Sequence, residues 1–331
     1  MIGEGLEWFN EMLNTSPTSK TSSCLIVGAG GFIGFNLCLE LVKKYGTVFA
    51  CDTFFSESIT LRLREKNIEI IEGGVEGFVL SFERYKNIRD IFYFAGKSTP
   101  SLLENEMSKG YFFDQENLVM MLESCSEMPC LHSFIYGSSG GTVYGENDNL
   151  CNESDILKPI SAYGLSKQIQ ESYINFYARR FHFLAKIARI SNPYGRALTH
   201  GTKHLQGVVD TTINKIKYNE IIEVWGDGNV VRDYIFILDL VQGITAISKK
   251  IIPAGVYNIG SGIGHSINDI IKLYKGIELQ FKVKYKDSRK IDVRSNILNI
   301  NKIKNSTGWV PTYDLETGVK ELINQELINQ D

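Results

Sequence analysis

The chain has 331 residues, 43% hydrophobic and 22% charged, with a formal net charge of −3. That length suits one large domain or two closely packed ones, and that composition excludes disordered, collagen-like and coiled-coil classes. Without a basic excess, nucleic acid and membrane surfaces are not expected partners, and no apolar run is long enough to span a bilayer.

Six cysteines form no C-x-x-C pair, which argues against zinc and dithiol chemistry, and no metal site is expected. Cys24 and Cys51 lie in apolar runs and read as small core residues. A reducing, cytoplasmic setting is the simplest expectation. In chain order, Ile2, Leu6, Phe9 and Leu13 recur at helical spacing. They predict a short amphipathic helix over 2–13, joined by a polar linker to residue 23 and packed on the domain surface or on a partner subunit.

Short apolar runs then alternate with helical patterns: CLIV (24–27), TVFAC (47–51), IEII (68–71), DIFYFA (90–95), SFIYGS (133–138) and FLAKIARI (183–190). Continuous apolar strands separated by helices specify a parallel sheet covered on both faces. The expected fold is α/β, a Rossmann-type doubly wound sheet over 24–192, with ligands at the carboxyl ends of its strands. Beyond 193 the rhythm breaks. Residues 193–331 read mainly as a smaller α/β substrate domain, with 236–259 returning to the main sheet. In SINDIIKLYKG, Ser266 and Asp269 predict a capping box at a helix start.

Two constellations carry chemistry. GAGGFIG (28–34) follows the first strand and opens a helix. Gly28, Gly31 and Gly34, with Phe32 and Ile33 between, let a pyrophosphate approach the helix N-terminus. Asp52, at the end of the second strand, suits the ribose hydroxyls of NAD and would repel the extra phosphate of NADP; a turn cap is the plain alternative. In SAYGLSK (161–167), Tyr163 and Lys167 stand four apart, on one helix face. An ammonium beside the phenol, with a positive nicotinamide ring, is expected to favour the phenolate and make Tyr163 an acid and base.

Taken together, these residues resemble the extended short-chain dehydrogenase/reductase family, and within it the nucleotide-sugar epimerases, over about residues 24–320. Phe94, Ala95 and Gly96 match its signature at the end of the fourth strand. Asn117, SSGGTVYG (138–145), SNPYG (191–195), VWGDGNVVRDYIFILDL (224–240) and Arg289 with Asp292 follow in its order. The resemblance implies bound NAD, a UDP-sugar substrate and a homodimer formed through the helices near 102–125 and 160–180. It implies cofactor contacts at Asn117 and Ser138, and substrate contacts at Lys97, Asn192, Arg232, Arg289, Asp292 and Asn296. Gly141 and Thr142 stand where its dehydratases carry an Asp–Glu pair, which argues against dehydration.

Gly140 stands where many epimerases carry a third hydroxyl, so Ser139, or else Thr142, has to supply it. Gly74 replaces an Asp expected near the adenine. The expected reaction is 4-epimerisation of a UDP-hexose, glucose or galactose or their N-acetylamino forms, suited to polysaccharide precursors. The alternatives are an NAD(P)H-dependent enzyme, reductase or other epimerase, acting on a 4-keto nucleotide sugar, and a non-catalytic dinucleotide-binding scaffold.

Overall fold

A computed structural model describes residues 22–99, 103, 107–147, 149–195, 207–287 and 293–328. The predicted helix over 2–13, Arg289 and Asp292 lie outside the described residues.

The strands are β1 (Ser23–Val27), β2 (Thr47–Asp52), β3 (Glu69–Glu72), β4 (Asp90–Tyr93), β5 (Ser133–Ser139), β6 (Leu184–Ile190), β7 (Asn192–Tyr194), β8 (Ile221–Trp225), β9 (Val231–Phe236), β10 (Gly255–Ile259), β11 (Gly264–Ser266), β12 (Lys282–Lys286) and β13 (Ser295–Asn296). Seven of them form the main sheet in the order β10-β6-β5-β4-β1-β2-β3, every pairing parallel. The expected Rossmann-type sheet is present. The chain winds outward from β1 to β3, then crosses back to β4. The crevice therefore opens at the carboxyl ends of β1 and β4.

The period of two along each strand divides the core between the two faces. Cys24 and Ile26 of β1 pack with the helices Phe32–Leu41 and Ile237–Ser248. Leu25 and Val27 pack with the helices Met107–Ser126 and Ala162–Phe181. Ile303 and Trp309 also join the first face, far along the chain from the strands they cover.

The smaller body holds β7, β9, β11 and β13 in one sheet and the pair β8–β12 in another. Tyr194, Val209, Phe236, Ile270, Tyr274 and Val319 form its core. The expected capping box is there: Ser266 Oγ accepts the Asp269 N–H at 3.1 Å, and Asp269 Oδ2 accepts the Ser266 N–H at 2.8 Å. No described helix is long and apolar enough to cross a membrane.

Candidate active site

β1 ends at Val27, and Gly28 turns the chain at φ +90. A Cβ on Gly28 would lie 2.6 Å from the backbone nitrogen of Ala95, so the close approach of the two strand ends requires glycine. Gly31 then precedes the helix Phe32–Leu41 and supplies no side-chain cap. The first N–H groups of that helix are therefore left for a ligand. Asp52 Oδ2 accepts the Gly30 N–H at 2.8 Å, and Oδ1 accepts the Thr53 N–H at 2.7 Å. The carboxylate does cap the turn, as the plain alternative had it, and it also holds the glycine loop to the end of β2. Gly30 was not singled out in the sequence because it is the spacer of the motif.

A glycine turn, an uncapped helix start and a carboxylate on β2 fit a dinucleotide. At the end of β4, the Phe94 ring lies where a Cβ on Gly137 would come within 2.5 Å of it, so glycine on β5 makes room for the aromatic wall. Asn117 spends its amide N–H on the Phe113 carbonyl one turn back, at 2.8 Å. Lys97 is exposed, its ammonium 3.6 Å above the Phe113 ring.

The helix Ala162–Phe181 starts where Ser161 Oγ accepts the Gly164 N–H at 3.1 Å. Tyr163 and Lys167 share one of its faces, with the Lys167 Nζ 5.8 Å from the centre of the Tyr163 ring. Lys167 donates to the Tyr136 hydroxyl at 3.1 Å and to the Gly137 carbonyl at 3.2 Å, and Tyr136 donates to Gln170 Oε1. Burial, with the nearby Asp114 carboxylate adding to it, pushes the Tyr163 phenol up to about 12. Burial pulls the Lys167 ammonium down to about 8 against the opposing pull of Asp114 and Glu171. The expected phenolate draws on the nicotinamide charge as well as on Lys167; burial and Asp114 act on the phenol in the opposite direction.

The segment 138–142 divides its hydroxyls. Ser138 Oγ donates to Glu171 Oε1 at 2.5 Å, so its side chain is turned into the protein, away from the expected cofactor contact. Ser139 is half-buried, and its hydroxyl makes no hydrogen bond among the described residues. Thr142 Oγ1 leans on the Ser139 carbonyl at 3.4 Å. A Cβ on Gly140 would lie 2.7 Å from Leu298 Cδ1, so an apolar side chain fills the place of the missing hydroxyl. Asn296 is only 1% exposed and donates to the Gly140 carbonyl at 3.2 Å. It supports this segment through its amide, and its Oδ1 has no hydrogen-bond partner among the described residues.

Asn192 and Arg232 meet in one cavity, with Tyr194, Val209 and Tyr234. Asn192 is tied to the Asp233 carbonyl at 3.0 Å, and Arg232 to the carbonyls of Val231 and Val293 at 2.9 and 2.7 Å.

Sequence reasoning missed two buried anchors beneath these residues. The Asp233 carboxylate accepts the N–H groups of Ser261, Gly262 and Leu298 and the Ser261 hydroxyl, and so ties two segments to β9. Arg189 forms a two-pronged pair with Glu171, at 3.1 and 2.7 Å, and donates to the Tyr144 hydroxyl at 3.1 Å. Tyr144 in turn donates to Asn258 Oδ1 at 2.6 Å. The available signal was an arginine inside the apolar run KIARI, where an unpaired charge would be costly.

These parts stand on a doubly wound sheet as in a dinucleotide-dependent enzyme that moves a proton at a hydroxyl or carbonyl oxygen while a hydride moves at its carbon. The chain belongs to the NAD dependent epimerase/dehydratase family, whose model matches residues 24–260. A dTDP-4-dehydro-6-deoxyglucose reductase of Escherichia coli is 30% identical over 318 residues, 92% of this chain and 98% of that protein. A putative UDP-glucose 4-epimerase of Methanocaldococcus jannaschii is 28% identical, covering 91% of this chain and 97% of its own. Among solved structures, the UDP-glucose 4-epimerase of Thermotoga maritima, determined with UDP-glucose, superposes with a TM-score of 0.85 at 27% identity, over 93% of this chain and 100% of that one.

Proposed function

We propose that this enzyme oxidises and re-reduces C4 of a UDP-hexose, and so interconverts gluco and galacto sugars, plain or N-acetylated. The observation that carries the reading is Tyr163 and Lys167 on one helix turn, with the uncommitted Ser139 hydroxyl at the end of β5 and the Asn192–Arg232 cavity beyond. Bound NAD would supply the site with a hydride acceptor and donor at the nicotinamide. Tyr163 takes the proton of the C4 hydroxyl and gives it back after the ketosugar has presented its other face. Ser139 shares a hydrogen bond with the same oxygen. Lys167 offsets the negative charge that develops on the phenol. Arg232 suits the diphosphate, whose charge a guanidinium meets in fixed geometry. By resemblance, Arg289 and Asp292 add the second diphosphate charge partner and a ribose contact.

One observation favours a second reading, the reduction of a 4-keto nucleotide sugar. Leu298 fills the space at Gly140, so Tyr163 has no hydroxyl partner at that position. A reductase asks Tyr163 only to donate a proton, and the 30% identical relative from Escherichia coli is such a reductase. The deciding experiment incubates the enzyme, without added cofactor, with UDP-glucose, UDP-N-acetylglucosamine and their galacto epimers, read by NMR. Interconversion supports the epimerase. No interconversion at high enzyme, with NADH consumed on a 4-keto nucleotide sugar, replaces it with the reductase. No turnover in either assay would favour the scaffold, and a Tyr163→Phe variant with full activity would remove Tyr163 from the reaction.

The outward faces of the helices beside the dyad support a homodimer. Phe176 is 51% exposed, in line with Leu165 and Tyr173, and Phe112 is exposed on the neighbouring helix. An apolar stripe of this kind on a helix pair suits a self-complementary contact.

A further inference from the structure

We propose that Asp114 is a positioning residue for the Tyr163–Lys167 pair, fixing the loop at the end of β4 and acting on the pair's charge from the neighbouring helix. The inference rests on the C4 redox reading above. Asp114 lies on the helix Met107–Ser126 and is 5% exposed. Its Oδ1 accepts the Lys97 N–H at 2.8 Å and its Oδ2 the Ser98 N–H at 3.0 Å. A Cβ on Gly96 would sit 3.4 Å from Oδ2, so the loop lies directly on the carboxylate.

The next residue, Gln115, donates to Ser166 Oγ at 3.1 Å. That bond sets the residue beside Asp114 against the residue beside Lys167. Glu171 is neutralised by Arg189, whereas no described cation forms an ion pair with Asp114. Among the described residues the hydrogen-bond partners of the Asp114 carboxylate are backbone N–H groups, and charge–charge interactions at a buried site are weakly screened.

The groups that feel its charge are Tyr163 and Lys167 on the dyad helix, Tyr136 on β5 and Tyr93 on β4, with Lys97 in the loop; Glu171 acts on Lys167 and Tyr136 as well. The Asp114 charge raises both the Tyr163 phenol and the Lys167 ammonium. Asp114 therefore keeps Lys167 cationic in spite of burial and delays the phenolate until further positive charge arrives.

Asp114→Asn removes the charge and keeps an acceptor oxygen. The readout is NMR of the full chain carrying carbon-13 lysine, with the Lys167 signal assigned through Lys167→Met. The expected result is a Lys167 midpoint lowered by about one pH unit, with the pH of half-maximal turnover moving the same way. Asp114→Glu, which keeps the charge, should hold the parental midpoint. An unmoved Lys167 midpoint in folded Asp114→Asn, or in folded Asp114→Ser if the first variant does not fold, overturns the proposal. The lysine titration needs no substrate. Absence of turnover on every nucleotide sugar would thus sink the C4 reading and leave this test standing.

Discussion

Gly140 and Leu298 act as one unit, because a side chain at 140 would meet Leu298 at 2.7 Å. Gly140→Ser should destabilise the fold by about 1–3 kcal/mol through overpacking. Adding Leu298→Ala should restore most of the loss, as calorimetry of the three variants would show. An additive double variant would contradict the shared space. Tyr163→Phe should lower turnover by about 10²–10⁴-fold with the unfolding temperature unchanged, measured by NMR turnover and calorimetry. Tyr163, Lys167 and Asp52 could be read from sequence because their spacing within a helix or after a strand is local. Asp114, Tyr136 and Gln170 could not, because their partners lie on other elements, and a lone polar residue in a helix has many roles.

The Glu171–Arg189 pair joins the dyad helix to β6, and through Ser138 and Tyr144 it reaches the segment 138–142 and the loop behind it. Glu171→Gln leaves a buried guanidinium without its partner charge and should cost about 3–5 kcal/mol, read by denaturant unfolding. Replacing both residues by apolar side chains of similar volume should cost much less. A single variant as stable as the parent would show that the pair does not hold these elements together.

Some element features were open to sequence reading. The capping box at Ser266 depends on two residues three apart, and the strands before residue 191 announce themselves as unbroken apolar runs. The placement of Ile303 and Trp309 on the main sheet was not open to it, since only the folded chain brings them back.

For the whole molecule, two behaviours follow. If the proposed homodimer forms through these helices, Phe176→Glu should shift the protein toward monomer in light scattering, since a charge in the middle of an apolar contact is desolvated without a partner. An unchanged mass would place the contact elsewhere or remove it. The second concerns alkaline pH. Burial holds the thiols of Cys24, Cys38, Cys51 and Cys125 well above their ordinary 9.0. A folded-state pKa raised in this way contributes stability that is complete below about pH 9 and lost as pH rises, because the unfolded chain then binds fewer protons. Lys167 and Lys186, both lowered to about 8 from 10.5, act in the opposite sense between those values. Four thiols outweigh two lysines, and the buried tyrosines join the thiols at higher pH. The unfolding temperature should therefore fall above about pH 9; a flat or rising profile would contradict the balance.

The sequence by itself determined the class of fold, the dinucleotide turn and the Tyr163–Lys167 pair, because apolar period, glycine spacing and helical spacing are properties of neighbouring residues. Tertiary structure alone decided which hydroxyl of 138–142 stays uncommitted, which side chain fills the space at Gly140, and which buried charges surround the dyad. Those outcomes depend on groups far apart in the chain meeting in a low-dielectric interior, where a carboxylate or a leucine at close range changes both the space and the charge that the candidate site residues have.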